Sequence, residues 1–156
     1  MSLYVEYPSE SHAVFPMDTL GSEHIVSQII SPGTGEAFIL ISGNNTNVEL
    51  TLPNNLNTNV TFQNVTYAGG TVLNFTLNEY ETAMISCACD LTGASIVSSG
   101  VVSVLVGSRN SQTAAFIVDQ LPPSNVWGRR LIWPGHPWIA QNVTLKIIGE
   151  YSTEHK

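Results

Sequence analysis

The run Val101-Val102-Ser103-Val104-Leu105-Val106-Gly107, preceded by Asp90-Leu91-Thr92-Gly93 and followed by Asp119-Gln120-Leu121-Pro122-Pro123, decides the fold class. Valine is stiff at χ1 and packs well on a pleated surface, and a short, almost continuously apolar run between turn residues reads as a strand. A strand apolar on both sides belongs at the centre of a sandwich or under cover on both faces. Asp90 reads as a turn aspartate that bonds its own backbone. Calcium ligation there is the lesser alternative, because no second acidic residue lies within a loop-sized window.

Similar runs continue outward at 23–30, 36–42, 47–52, 59–67, 71–77, 81–86, 113–118 and 143–149. Turn signals separate them at Ser31-Pro32-Gly33, Gly43-Asn44-Asn45, Ala68-Gly69-Gly70 and Ser99-Gly100. Ala37-Phe38-Ile39-Leu40-Ile41 is apolar throughout, whereas 59–67 and 141–147 alternate, as half-buried strands do. Helical periodicity is nowhere convincing, and a single turn near 119–122 is the most the sequence allows. The expected fold is all-β: an antiparallel β-sandwich, jelly-roll-like or Greek-key.

Composition narrows function by exclusion. Of 156 residues, 43% are hydrophobic and 11% charged, enough for one domain with a sizeable core. Twelve Asp and Glu against five Lys and Arg, a net charge of -7, leave no basic surface for a phosphate backbone, so nucleic acid is not an expected partner. No stretch approaches the roughly 20 apolar residues that span a bilayer. The start Met1-Ser2-Leu3-Tyr4-Val5-Glu6-Tyr7-Pro8 lacks a signal peptide's basic and apolar regions, and a single β domain, 1–156, excised from a larger chain is expected.

So few charges raise the question of what keeps the surface hydrated, and glycans would answer it. Acceptor sequons stand at Asn44, Asn59, Asn64, Asn74 and Asn142, with Asn44 in its polar turn the best placed. Asn59 and Asn64 cannot share one face of a straight strand, so some acceptors are expected to turn inward. Cys87 and Cys89, two apart in a strand-like run, leave the same face. Three readings stay open for them: partners elsewhere in a parent chain, free buried thiols, or a strained local bridge or metal ligation.

Two echoes hint at one and a part β repeat units. Phe15-Pro16 with Leu20-Gly21 resembles Leu121-Pro122 with Trp127-Gly128, and Asn45-Thr46-Asn47-Val48-Glu49-Leu50 resembles 141–146. They share order but not spacing. A repeat would let the first strand pair with the last.

The ordered set Phe15-Pro16, Leu20-Gly21-Ser22-Glu23, 44–50, 77–82, Asp90-Leu91-Thr92-Gly93, 101–107, Gln120-Leu121-Pro122-Pro123 and Trp127-Gly128 resembles the IgGFc-binding protein N-terminal domain family over most of the chain. The resemblance implies a secreted, non-enzymatic scaffold and a core position for Trp127. The cysteines that family members carry between the 101–107 strand and Gln120 are missing here, and with them that disulfide. No residue identifies an Fc contact.

Catalytic apparatus is not legible. There is no Gly-x-Ser-x-Gly elbow, the cysteines sit in an apolar context that raises a thiol pKa, and Asp18, Glu23, Glu49, Glu79, Glu81, Asp90, Asp119 and Glu150 form no signature. His12, His24, His136 and His155 lack ligand spacing and read as surface or partly packed; no metal or cofactor is expected. Recognition is expected in the loop 127–138, through Arg129, Arg130, Trp133, His136 and Trp138, since Trp and Arg dominate binding hot spots. The competing reading has Trp127 and Trp133 plugging the end of the sandwich. The function expected is an extracellular adhesion or protein-binding module alongside other domains of a parent chain. The alternatives are a self-associating structural subunit pairing through strand edges, and a lectin stacking sugars on Trp133 and Trp138.

Overall fold

A computed structural model describes residues 14–28, 35–110 and 116–128, with the side chains of Asn110 and Phe116 excepted. Nine strands run through them: β1 (Gly21–Ile25), β2 (Gly35–Gly43), β3 (Thr46–Thr51), β4 (Val60–Phe62), β5 (Val65–Tyr67), β6 (Val72–Leu77), β7 (Thr82–Cys87), β8 (Ser95–Asn110) and β9 (Phe116–Gln120). All pairings are antiparallel. The expected all-β antiparallel architecture is therefore present, in the form of one curled sheet.

Several boundaries differ from expectation for identifiable reasons. The run 59–67 is a hairpin of two strands, because Gln63 and Asn64 take φ of 49° and 62° and reverse the chain. The run 101–107 is only the middle of the 16-residue β8. No helical turn forms over 119–122, where β9 and the proline pair lie; single 3₁₀ turns occupy Met17–Thr19 and Ser124–Val126 instead. Pro123, with φ fixed near -63°, stands directly ahead of the second of these. The run 143–149, and with it the pairing of first and last strands, lies outside the described residues.

β8 organises the sheet. Its residues 95–97 pair with both β1 and β3, Val102 with both Gly21 and Gly43, and 105–109 with both β2 and β9. A residue has one neighbour on each side, so β2 and β3 follow one another along one flank of β8, and β9 and β1 share the other. β7 and β6 repeat the arrangement on the far side of β2 and β3. Three long ribbons thus lie side by side, and each bends midway: at Gly43 to Thr46, at Asn78 to Glu81, and at Ser98 to Gly100. The bend closes tightly. A Cβ on Gly100 would stand 2.8 Å from Thr46 Oγ1, whose hydroxyl donates to Asn44 O at 2.9 Å.

Curling lays the two halves against one core. Inward residues from one half, Leu50, Leu73 and Ile96, join Ile39, Ile41, Ile85 and Val104 from the other in a single cluster. Phe62 of β4 meets Phe75 of β6 at 5.1 Å between ring centroids, inclined by 53°. Burying such side chains contributes about 1.5–3 kcal/mol each. The outer face of β2 and β8 is partly covered: Phe38 is buried opposite Gly107, where a Cβ would collide with the Phe38 ring and with Ile117 O. Glycine is required there by that close approach.

Candidate functional site

The motif residues lie along the β1 and β9 flank of β8, the Asp90 turn beside Val26 and Gln120 beside Ser103. Asp90 Oδ1 accepts from Thr92 N at 2.9 Å, the expected turn bond, and Gly93, at φ +89°, completes a tight turn closed by Ala94 N donating to Leu91 O at 3.0 Å. Gly93 N donates to Val26 O and Val26 N to Ala94 O, which carries the β1 pairing into this turn. Gln120 is buried: its Nε2 donates to Ser103 Oγ at 2.8 Å and its Oε1 accepts from Phe15 N at 2.7 Å. Pro123 packs against Gly21, leaving no room for a side chain there. Phe15, Gly21, Gln120 and Pro123 therefore clasp the segment 15–21 to β8 and β9. Trp127, expected in the core, is half-buried after the second 3₁₀ turn.

The outer face of the other half carries a shallow hollow of about 570 Å³ over β3, β6 and β8. Two rows of outward residues line it. One runs Asn74, Glu49 and Val97; the other pairs Thr76 with Asn47, beside Ser99. Thr76 Oγ1 donates to Asn47 Oδ1 at 2.8 Å, and Asn47 N donates to Ser99 Oγ at 3.0 Å. Amides, hydroxyls and one carboxylate around Val97 suit a polar protein or sugar surface. No group of three or more metal-ligating side chains occurs among the described residues.

Arg129, Arg130, Trp133, His136, Trp138 and Asn142 lie outside the described residues. The other four acceptors, Asn44, Asn59, Asn64 and Asn74, are all exposed. None turns inward, because the bend at Gln63 and Asn64 lets Asn59 and Asn64 both reach solvent. For the cysteines, of the three open readings, the local bridge holds. Cys87 and Cys89 are bridged, with Cα atoms 5.2 Å apart, and no described cysteine is free. The expectation of parallel side chains assumed a strand running through both, but β7 ends at Cys87 and the chain bends beyond it, which brings the Cα atoms within disulfide reach.

One buried group escaped the sequence reading. His24, expected at the surface or partly packed, is 1% exposed, and both its ring nitrogens lack a hydrogen-bond partner among the described residues. The register aligns it with Ile96, Leu50 and Leu73 in one inward row. Desolvation lowers its pKa from 6.5 to about 4, so the ring is neutral at pH 7. The alternation in Gly21-Ser22-Glu23-His24-Ile25-Val26, which places His24 in phase with Val26, was the available signal.

Residues 10–154 match the family described as IgGFc binding protein. The chain belongs to that family. Over 127 residues, 76% of the chain, it is 32% identical to IgGFc-binding protein of Homo sapiens. The match covers 2% of that protein, so the chain spans a small fraction of this relative's length. No solved structure matches this IgGFc-binding family chain significantly. Among its described residues no helix is long and apolar enough to cross a membrane.

Proposed function

We propose that the chain is a non-catalytic, extracellular, glycosylated module that works by adhesion or protein binding, as one unit of a larger secreted protein. The family match over 10–154 carries the reading, because the human relative is named for binding the Fc region of IgG. The outer face supports it with the β3 and β8 side of the hollow, where Asn47, Glu49 and Ser99 surround Val97 in a patch of the kind that recognises another surface. The loop 127–138 is the second candidate contact, with Trp133 and Trp138 as anchors and Arg129, Arg130 and His136 around them.

The Fc region is the first ligand to test. Immobilised Fc is titrated with secreted full-length chain, and with Glu49→Lys and Trp133→Ala variants. Saturable binding weakened by either substitution is expected, and its location follows from which one acts. Absence of saturable binding to Fc, together with binding on a glycan array that disappears in Trp133→Ala and Trp138→Ala, would replace this reading with the lectin one.

A further inference from the structure

From Leu50 to Asn78 the chain contains no Asp, Glu, Lys or Arg. That interval holds β5 and β6, the strands at the two ends of the seven-strand path. Among the described residues each has a partner on one side only, β4 and β3 respectively. An unpaired strand edge is a template for adding another chain, and proteins usually blunt it with charge, proline or a bulge. β6 has none of these. Its sequence, Val72-Leu73-Asn74-Phe75-Thr76-Leu77, is six mostly apolar residues without charge, Pro or Gly, with Val72, Phe75 and Thr76 of high β propensity, the composition of an aggregating segment. Exposed valines stand on both edges, Val65 at 51% and Val72 at 44%.

What the same interval does hold is three of the five sequons, at Asn59, Asn64 and Asn74. In β6 both Asn74 and Thr76 point outward and are exposed, while Phe75 packs inward on Phe62. At β5, Asn64 sits in the turn that opens the strand, and Thr66 is also exposed. We infer that sugars on Asn64 and Asn74 are the edge guards of this sheet, taking the place of charge and preventing a second copy of the chain from adding to β5 or β6. This rests on the extracellular glycoprotein reading above. It assigns the sequons a role in keeping copies apart, opposite to assembly through open edges.

The test uses full-length chain secreted from cells that N-glycosylate, with occupancy mapped by mass spectrometry and association followed by sedimentation velocity. Asn64 and Asn74 are expected to be occupied and the protein monomeric. Removing both sugars with Thr66→Ala, which spares the positive φ of Asn64, and Asn74→Gln should bring on self-association at roughly tenfold lower concentration. Adding Asn74→Lys in place of Asn74→Gln, a charge without a sugar, should largely reverse it. Wild-type chain made without N-glycosylation should associate in the same way, which covers the case of a variant that does not fold. Empty Asn64 and Asn74 in secreted protein, or sugar-free chain as monomeric as the glycosylated form, overturns the inference. Fc binding is read separately, so its failure leaves occupancy and mass untouched.

Discussion

His24 ends an inward row of aliphatic side chains with no partner for either nitrogen among the described residues, and its burial has a definite pH signature. The folded state resists protonation down to about pH 4, whereas the unfolded chain takes up the proton near 6.5. Between those values the unfolded state binds more protons, so stability is fully present above about pH 6.5 and falls as pH drops towards 4, by about 3 kcal/mol in all. Urea midpoints measured from pH 7 to pH 4 should show this decline, and His24→Leu should flatten it. An unchanged slope in that variant would mean other groups carry the acid sensitivity. Gly107 makes a second prediction at this scale. Gly107→Ala places a methyl against the Phe38 ring and Ile117 O, and a loss of about 2 kcal/mol in denaturant unfolding is expected. The signal for His24 was only its phase with Val26, against a polar ring that ordinarily sits at the surface, and Gly107 gave none, since the glycine closing 101–107 reads simply as a strand end.

Elements were read better than their ends. Strand runs in the described residues were found because β-branched residues, alternation and Gly, Pro and Asn turns act locally. Lengths failed where tertiary pairing decides them. β8 reaches from Ser95 to Asn110 because two different strands flank each of its halves, information that no local window contains. The cysteine pair stayed open for a related reason, since no local window shows that the strand ends between them. That bridge closes a very short loop and restricts the unfolded chain little, so replacing both cysteines with serine should cost only about 1–2 kcal/mol and leave the fold intact. Thermal melts with and without reductant test it, and global unfolding on reduction would show that the bridge does more. At the turn of Asn78 to Glu81, the Glu81 carboxylate accepts from both Asn78 N and Asn78 Nδ2 at 2.9 Å, while Tyr80 stands 93% exposed at φ +65°. Tyr80→Gly should therefore be neutral or slightly stabilising, by up to about 1 kcal/mol, through relief of the left-handed backbone.

At the scale of the molecule, the family was legible because its motifs are structural. Gln120, Pro123, Gly21 and Phe15 meet in a clasp, so their spacing survives as a signature of the scaffold rather than of a ligand. The recognition residues were placed in the loop 127–138, and nothing in the described residues bears on them; the hollow around Val97 was invisible because its lining comes from three strands distant in sequence. The curled sheet also sets how the domain comes apart. Far-UV circular dichroism and tryptophan fluorescence should report one coincident unfolding transition, and two separated transitions would show that the halves are independent.

The bent ribbons have a last consequence, for cutting and rejoining the chain. Because three ribbons run from one half into the other, a break at 98–101 severs a strand in both halves at once, and neither fragment retains a complete sheet. The exposed tip at 63–64, between β4 and β5, crosses nothing. New termini, fused partners or inserted tags belong at that tip, and a protease that finds the domain folded should leave the crossing points alone.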